Sequence, residues 1–246
     1  MKLLLQILQS ILRSKWFYAG AGFSAIAVFL IHLATLDKSK TSLWMLALAM
    51  AFYIPAALAS PALILELRKK YIQPDSIPYG RFLWMLCKFG MKLGGLMLGI
   101  YVLILAIGAG IHLGLKIPLL SGIFHLFGML GVILLMTILT FGGGACLVLK
   151  GNSYRSIRDA FPAAKVLPKE ILQIIGMSFL PVIPMIGAAM LVSTIVRQNP
   201  EIIKLVLLGM QVTLMPYQIA ISAGAMVFLA ARLKEKAPEL VAPACD

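Results

Sequence analysis

Long apolar runs alternate along this chain with short segments that hold nearly all of its charge. The uncharged stretches cover about 17–36, 41–65, 93–115, 117–149, 171–196 and 205–231. Roughly 20 residues of helix cross a bilayer core of about 30 Å, so each run is long enough to span. Hydrocarbon offers the backbone no hydrogen-bond partners, which makes helix the expected form of every run. The pattern predicts an all-α integral membrane protein, with six transmembrane helices in three hairpins filling 17–232 and a cytoplasmic tail over 233–246. The fourth run is longer than one span needs and contains Gly142, Gly143 and Gly144. No polar turn divides it, so it reads as one helix kinked or frayed at the glycines, with its inner end protruding.

The segments between runs carry a helical period of their own. Lys2, Gln6, Gln9 and Arg13 fall at i, i+4, i+7 and i+11, opposite a Leu/Ile face. Residues 1–16 therefore predict an amphipathic interfacial helix lying on the inner membrane surface. The same polar residues interrupt any signal-peptide core, and no small-residue cleavage site follows cleanly. Arg81, Lys88 and Lys92 form a second stripe, while Phe82, Leu83, Leu86 and Phe89 cover other faces. At a spacing of 77 residues Arg81 recurs as Arg158, Lys88 as Lys165, and Lys92 as Lys169 after an earlier Lys15. Gly22, Gly99 and Gly176 keep the same interval. The spacing predicts three parallel copies of an interfacial helix plus a hairpin. Evenly spaced hairpins with cations kept on one side would show similar coincidences, and the even-numbered spans align poorly.

Composition agrees with the pattern. The 246 residues are 61% hydrophobic with a mean hydropathy of +0.97, and only 13% are charged. A soluble domain of this length has no use for so much apolar surface. The net charge of +13 would point to nucleic acid in a soluble protein. Here the charges sit between spans, so anionic lipid headgroups are the expected counter-ions and no nucleic-acid partner is predicted. The N-terminus, the second and fourth connections and the C-terminus hold seventeen Lys and Arg, against five in the alternate connections. That bias puts both termini in the cytoplasm and the chain in the cytoplasmic (inner) membrane.

Three stretches carry a resemblance. They are the basic helix Pro78–Lys92 entering a span, the Gly151–Lys169 segment before a proline-broken span, and Met215-Pro216-Tyr217 leading to Ala231-Arg232-Leu233. Together they resemble a family of six-span bacterial membrane proteins that includes the membrane domain attached to some glycerophosphodiester phosphodiesterases, and many stand-alone members. The resemblance implies a helical bundle with cytoplasmic amphipathic segments and no established activity of its own. The phosphodiesterase domain itself has no counterpart here.

Candidate chemistry is sparse. Pro55 and Pro61 interrupt the second run, Pro181 and Pro184 the fifth, and Pro216 the sixth, and broken helices can line a transport path. Gln211, Gln218 and Ser222 share a face of the sixth run and should point into the bundle as interhelical glue. Gly95, Gly99, Gly110 and Gly114 form small-xxx-small pairs that predict close helix packing. His32, His112 and His125 lie at matched depth in the outer third, where imidazoles can ligate haem or a metal. No His or Cys spacing supports such a site, so no cofactor is expected. Cys87, Cys146 and Cys245 fall on or near the reducing side, and Cys245-Asp246 ends no prenylation signal. No predicted run contains Asp or Glu, and no nucleophile-elbow, Walker or zinc-protease motif occurs. The chain is expected to be non-enzymatic. Its expected role is accessory, scaffolding or lipid-interacting, with Arg81, Lys88, Lys92, Arg158, Lys165 and Lys169 on the lipid surface. Two alternatives are the permease subunit of an ABC-type exporter, docking an ATPase partner, and a haem-binding redox subunit.

The charge bias makes a topological prediction. An impermeant thiol reagent added from outside should label a cysteine placed at Ser39 or Gln198 and spare one at Asp75 or Ser153. Outside labelling at 75 or 153 would overturn the orientation.

Overall fold

Proline and the apolar runs together set where helices begin. The computed structural model describes residues 2–36, 41–73, 77–115, 118–150, 153–181, 184, 187, 190 and 200–241. Its elements are α1 (Lys2–Ile11), α2 (Lys15–Leu36), α3 (Thr41–Tyr71), α4 (Tyr79–Leu115), α5 (Pro118–Thr137), a π turn (Ile138–Gly142), α6 (Gly143–Lys150), α7 (Ser153–Arg158), α8 (Ala160–Val166), α9 (Pro168–Phe179), α10 (Pro200–Lys236) and α11 (Pro238–Val241). Among the described residues there is no strand. Pro118, Pro168, Pro200 and Pro238 each open a helix, where a missing N–H costs nothing and φ is already helical.

Five helices are long and apolar enough to cross a membrane: α2, α3, α4, the α5–α6 helix and α10. The protein is therefore a multi-pass helical membrane protein. The run predicted over 171–196 is entered by α9, which ends at Phe179 shortly before Pro181. Most of its remainder lies outside the described residues. Pro55, Pro61 and Pro216 sit inside unbroken helices. The expected tail from 233 starts as helix, since α10 continues to Lys236 with Leu233 buried, and α11 follows after a buried Ala237.

The fourth run is a single helix, but its glycines are neither frayed nor exposed. The chain passes through a π turn over Ile138–Gly142 and resumes as α6. A Cβ on Gly142 would lie 2.8 Å from the Ala160 carbonyl oxygen, and one on Gly143 would lie 3.2 Å from that of Ser156. A Cβ on Gly144 would meet Met226 of α10 at 2.9 Å. The three glycines let α7, α8 and α10 close on one helix. The small-xxx-small expectation for α4 fails by contrast. Nothing approaches the Cβ positions of Gly95, Gly99 or Gly110 within 4 Å, and the surroundings of Gly114 lie outside the described residues.

Packing is strongly graded along the helices. The main core gathers Leu63, Leu67, Phe82, Val148, Ile174 and Phe228 with α1, all near the ends where the cations are. In their most apolar stretches α10 and the α5–α6 helix are 50% buried, whereas α4 is only 17% buried. Leu98, Val102, Leu103 and Ile107 of α4 are exposed, as side chains facing lipid should be. α1 has the predicted amphipathicity, with Lys2, Gln6, Gln9 and Arg13 outward. Its apolar face, however, meets protein: Leu4, Ile7 and Ile11 are buried, and Ile11 Cδ1 comes within 3.1 Å of a Cβ built on Gly224 in α10.

The glycine contacts give a direct test. Gly142→Ala gains helix propensity of about 1 kcal/mol but drives a methyl into a backbone carbonyl, an overpacking cost of about 1–3 kcal/mol. Its unfolding midpoint in detergent should fall. Gly99→Ala, which meets open space, should leave the midpoint unchanged or raise it.

Candidate functional site

The site grows out of a problem at helix ends. α3, α6 and α10 all finish at the basic end, and each finishes with carbonyls that have no helical partner and with a partial negative charge of about half a unit. Cations from neighbouring helices meet them. Arg68, in the last turn of α3 and only 4% exposed, donates from Nε to the Val148 carbonyl of α6 at 2.7 Å. Its Nη2 donates to Gln73 Oε1 at 2.7 Å. Lys234 of α10 reaches back to the Ile72 carbonyl just beyond α3, at 2.8 Å. α1 is tied to the same group of ends: Tyr71 Oη lies 2.6 Å from Ser10 Oγ and 3.0 Å from the Gln6 carbonyl, and Lys70 donates to Ser10 Oγ at 2.9 Å.

Two carboxylates of this end are engaged internally. Asp159 accepts from Lys150 Nζ at 2.8 Å and from Arg158 Nε at 3.3 Å, linking the last residue of α6 to the residue before α8. Burial pushes the Asp159 carboxyl up, but the hydrogen bonds and charges of Lys150 and Arg158 outweigh it and hold it below the ordinary range. Glu170 of α9 accepts from Lys236 of α10 at 2.6 Å. Burial again opposes, and Lys236 again wins, so this carboxyl is also held low.

The cations predicted for the lipid surface remain outward. Arg81, Lys88, Lys92, Arg158, Lys165 and Lys169 are all exposed. On α4 the inward positions are Phe82, Phe89, Leu93 and Met97, which fixes the Arg81–Lys88–Lys92 stripe on the outer side. Lys88 stands over the Trp84 ring at 4.9 Å, and Trp84 and Met91 are exposed beside it. Cations interleaved with apolar side chains suit a headgroup boundary, where the stems bury in acyl chains and the charges stay wet.

The sixth-run amides divide. Gln218 and Ser222 line a cavity of about 320 Å³ with Thr137 and Phe141 at the π turn, Ser178 of α9, and Tyr217. Gln218 also borders a second recess of about 200 Å³, among Ser24, Tyr53 and Ser60 of α2 and α3. Gln211 reaches neither, and both amides keep exposed surface. Thr137 and Ser178 return their hydroxyl protons to the carbonyls four residues back, each at 2.8 Å, and Tyr217 donates to the Met177 carbonyl in the last turn of α9. His32 is partly buried, while the side chains of His112 and His125 lie outside the described residues. Cys87 is exposed and Cys146 is buried against the Asp159 carbonyl, and Cys245 lies outside the described residues.

Sequence reasoning passed over Arg68, Tyr217 and Ser178. Arg68 stands in the run Arg68-Lys69-Lys70 and has no marker of its own beyond its place one turn after Ile64 on the apolar face. No protein-family model, curated protein or solved structure matches this chain.

The carboxylate pairs set an acid limit. Asp159 and Glu170 have folded values below their unfolded ones, near 3.9 and 4.3. Their stabilisation is therefore full above those unfolded values and is lost as pH falls through the folded ones. The unfolding midpoint should hold down to about pH 5 and drop below about pH 4. Asp159→Asn should lower the midpoint at neutral pH and flatten that drop, and an unaltered acid limb would contradict the assignment.

Proposed function

We propose that this chain is a non-enzymatic, lipid-interacting protein of the cytoplasmic membrane, with both termini cytoplasmic and an accessory or scaffolding role in membrane or envelope maintenance. One observation carries the reading: the best-packed part of the molecule sits at the basic end and presents exposed cations around its rim. A loosely packed set of apolar helices extends from that end, and it needs lipid around it. The rim cations Arg81, Lys88 and Lys92 lie beside exposed Trp84 and Met91, so charge and apolar surface reach the membrane together. The family resemblance in Pro78–Lys92, Gly151–Lys169 and Met215–Leu233 supports the same role, as the membrane part of a larger system rather than a catalyst.

A second reading has a specific observation behind it. The two cavities that meet at Gln218, about 20 Å along α10 from Arg232, place uncharged polar groups inside the span. A permease subunit of an ABC-type exporter would use such a path, with the basic end as the docking face for an ATPase.

The surface reading is tested by charge removal in the intact protein. Arg81, Lys88 and Lys92 together replaced by Gln should reduce the stabilisation that anionic bilayers give over zwitterionic ones, at about 1 kcal/mol of attraction per cation near the surface. The measurement is the unfolding midpoint in nanodiscs of the two compositions. Equal losses in both would place the stripe against protein or water instead.

A further inference from the structure

At the basic end, a recess of about 370 Å³ opens between the start of α2, the last turns of α3 and the start of α4. That is within the usual size of ligand sites, roughly 300–1,000 Å³. One wall is apolar, built from Ala62, Leu65 and Ile77. Trp16 and Tyr79 flank it at the first turns of their helices, the level at which aromatic belts mark the membrane interface. Glu66 and Lys69 stand one turn apart on α3, on the same side of the recess, and both are exposed. Neither enters an ion pair among the described residues. Glu66 is nevertheless held in place, since the buried Ser14 hydroxyl donates to its Oε2 at 2.6 Å. Arg68 lines the recess as well, but its guanidinium is committed to Val148 and Gln73.

We propose that this recess binds one phospholipid whose headgroup carries a primary ammonium, with the ammonium on Glu66, the phosphate on Lys69, and the first acyl carbons along Ala62, Leu65 and Ile77. The proposal rests on the lipid-interacting reading above and names the lipid for one site within it. Charge selects the class. A purely anionic headgroup would set its charge beside the Glu66 carboxylate, whereas a zwitterion satisfies carboxylate and cation together. Hydrogen bonding then selects within zwitterions. A primary ammonium offers three N–H donors, and a bond from one of them to a carboxylate is charge-assisted; a trimethylammonium offers none. Trimethylammonium groups are instead held by aromatic cages, and here Lys15 already occupies a face of Trp16 at 5.4 Å while the Tyr79 hydroxyl is engaged by the Leu58 carbonyl at 2.7 Å. The mixed charge of the recess is also local: the exposed rim of α4 offers only cations.

The test uses the full chain in detergent, with added lipids of matched acyl chains: phosphatidylethanolamine, phosphatidylcholine and phosphatidylglycerol. Phosphatidylethanolamine should raise the unfolding midpoint most and bind about tenfold more tightly than the other two, the ratio expected for one charge-assisted hydrogen bond. Soluble phosphoethanolamine, which lacks acyl chains, should give no comparable rise. Glu66→Gln should abolish the preference between headgroups, and Lys69→Gln should weaken all three lipids alike. Ser14→Ala frees the Glu66 carboxylate without removing it and should reduce the preference, which keeps the test open should Glu66→Gln fail to fold. Equal stabilisation of the unaltered chain by the three lipids, a preference that survives Glu66→Gln, or an equal effect of soluble phosphoethanolamine would each overturn the proposal. The Arg81, Lys88 and Lys92 triple variant should keep the ethanolamine preference. Retention of the full anionic-bilayer effect in that variant would speak against the surface reading alone, and loss of the headgroup ranking against this one alone.

Discussion

Arg68 is the constraint on which the basic end depends. Several helices of this protein terminate in one place, so their unpaired carbonyls and their aligned dipoles crowd together. A guanidinium brought out of water beside them would be costly on its own, and the carbonyls would be costly without it. Set between Val148 and Gln73, each relieves the other. Lys234 does the same for Ile72 from the opposite direction. Removing Arg68 would leave three helix ends facing each other with too few donors. The positive bias of this face is thus a packing requirement of the helix ends that meet there.

The gradient of packing follows from the solvent at each level. Between helices in hydrocarbon there is no hydrophobic drive, because lipid tails are as apolar as Leu. Association there depends on shape, small residues and polar contacts such as Tyr217 with Met177. Near the headgroups, water returns and burying Phe82 or Phe228 becomes favourable, at roughly 1.5–3 kcal/mol for a large side chain. The core therefore forms where α1, α3, α6, α8 and α10 leave the hydrocarbon, and α4 can diverge into lipid with little loss.

Much of this was legible in the pattern of residues, and the failures have physical reasons. Five of the six apolar runs hold helices long and apolar enough to cross a membrane, since in a membrane helix is nearly the only choice. The cation stripe of α4 was readable because Phe82 and Phe89 hold the opposing face. Gly142, Gly143 and Gly144 were misread as a weakness, because sequence cannot show that α8 and α10 arrive there. Gly95 and Gly99 were misread the other way, since a small-xxx-small spacing permits close approach without supplying a partner. Gln211 and Gln218 share a period, yet only Gln218 borders the two cavities, because a period of helix does not reveal how far along the helix its neighbours extend. Glu66 lay one residue past the predicted run, and only the fold of α2 and α4 around it gives it a setting.

The π turn over Ile138–Gly142 shifts the phase between the two halves of one helix. It holds one more residue than an α turn would, and one residue is about 100° of rotation. Upstream, Leu135 and Met136 lean on α4 beside Phe89 and Leu93; downstream, Gly144 and Val148 look toward α10 and Arg68. Deleting a single residue within this turn would leave the helix continuous and its hydropathy untouched. The turn would then close as an ordinary α turn with both flanking faces kept, whereas deleting a residue from α5 or α6 would swing one half by about 100° against the other.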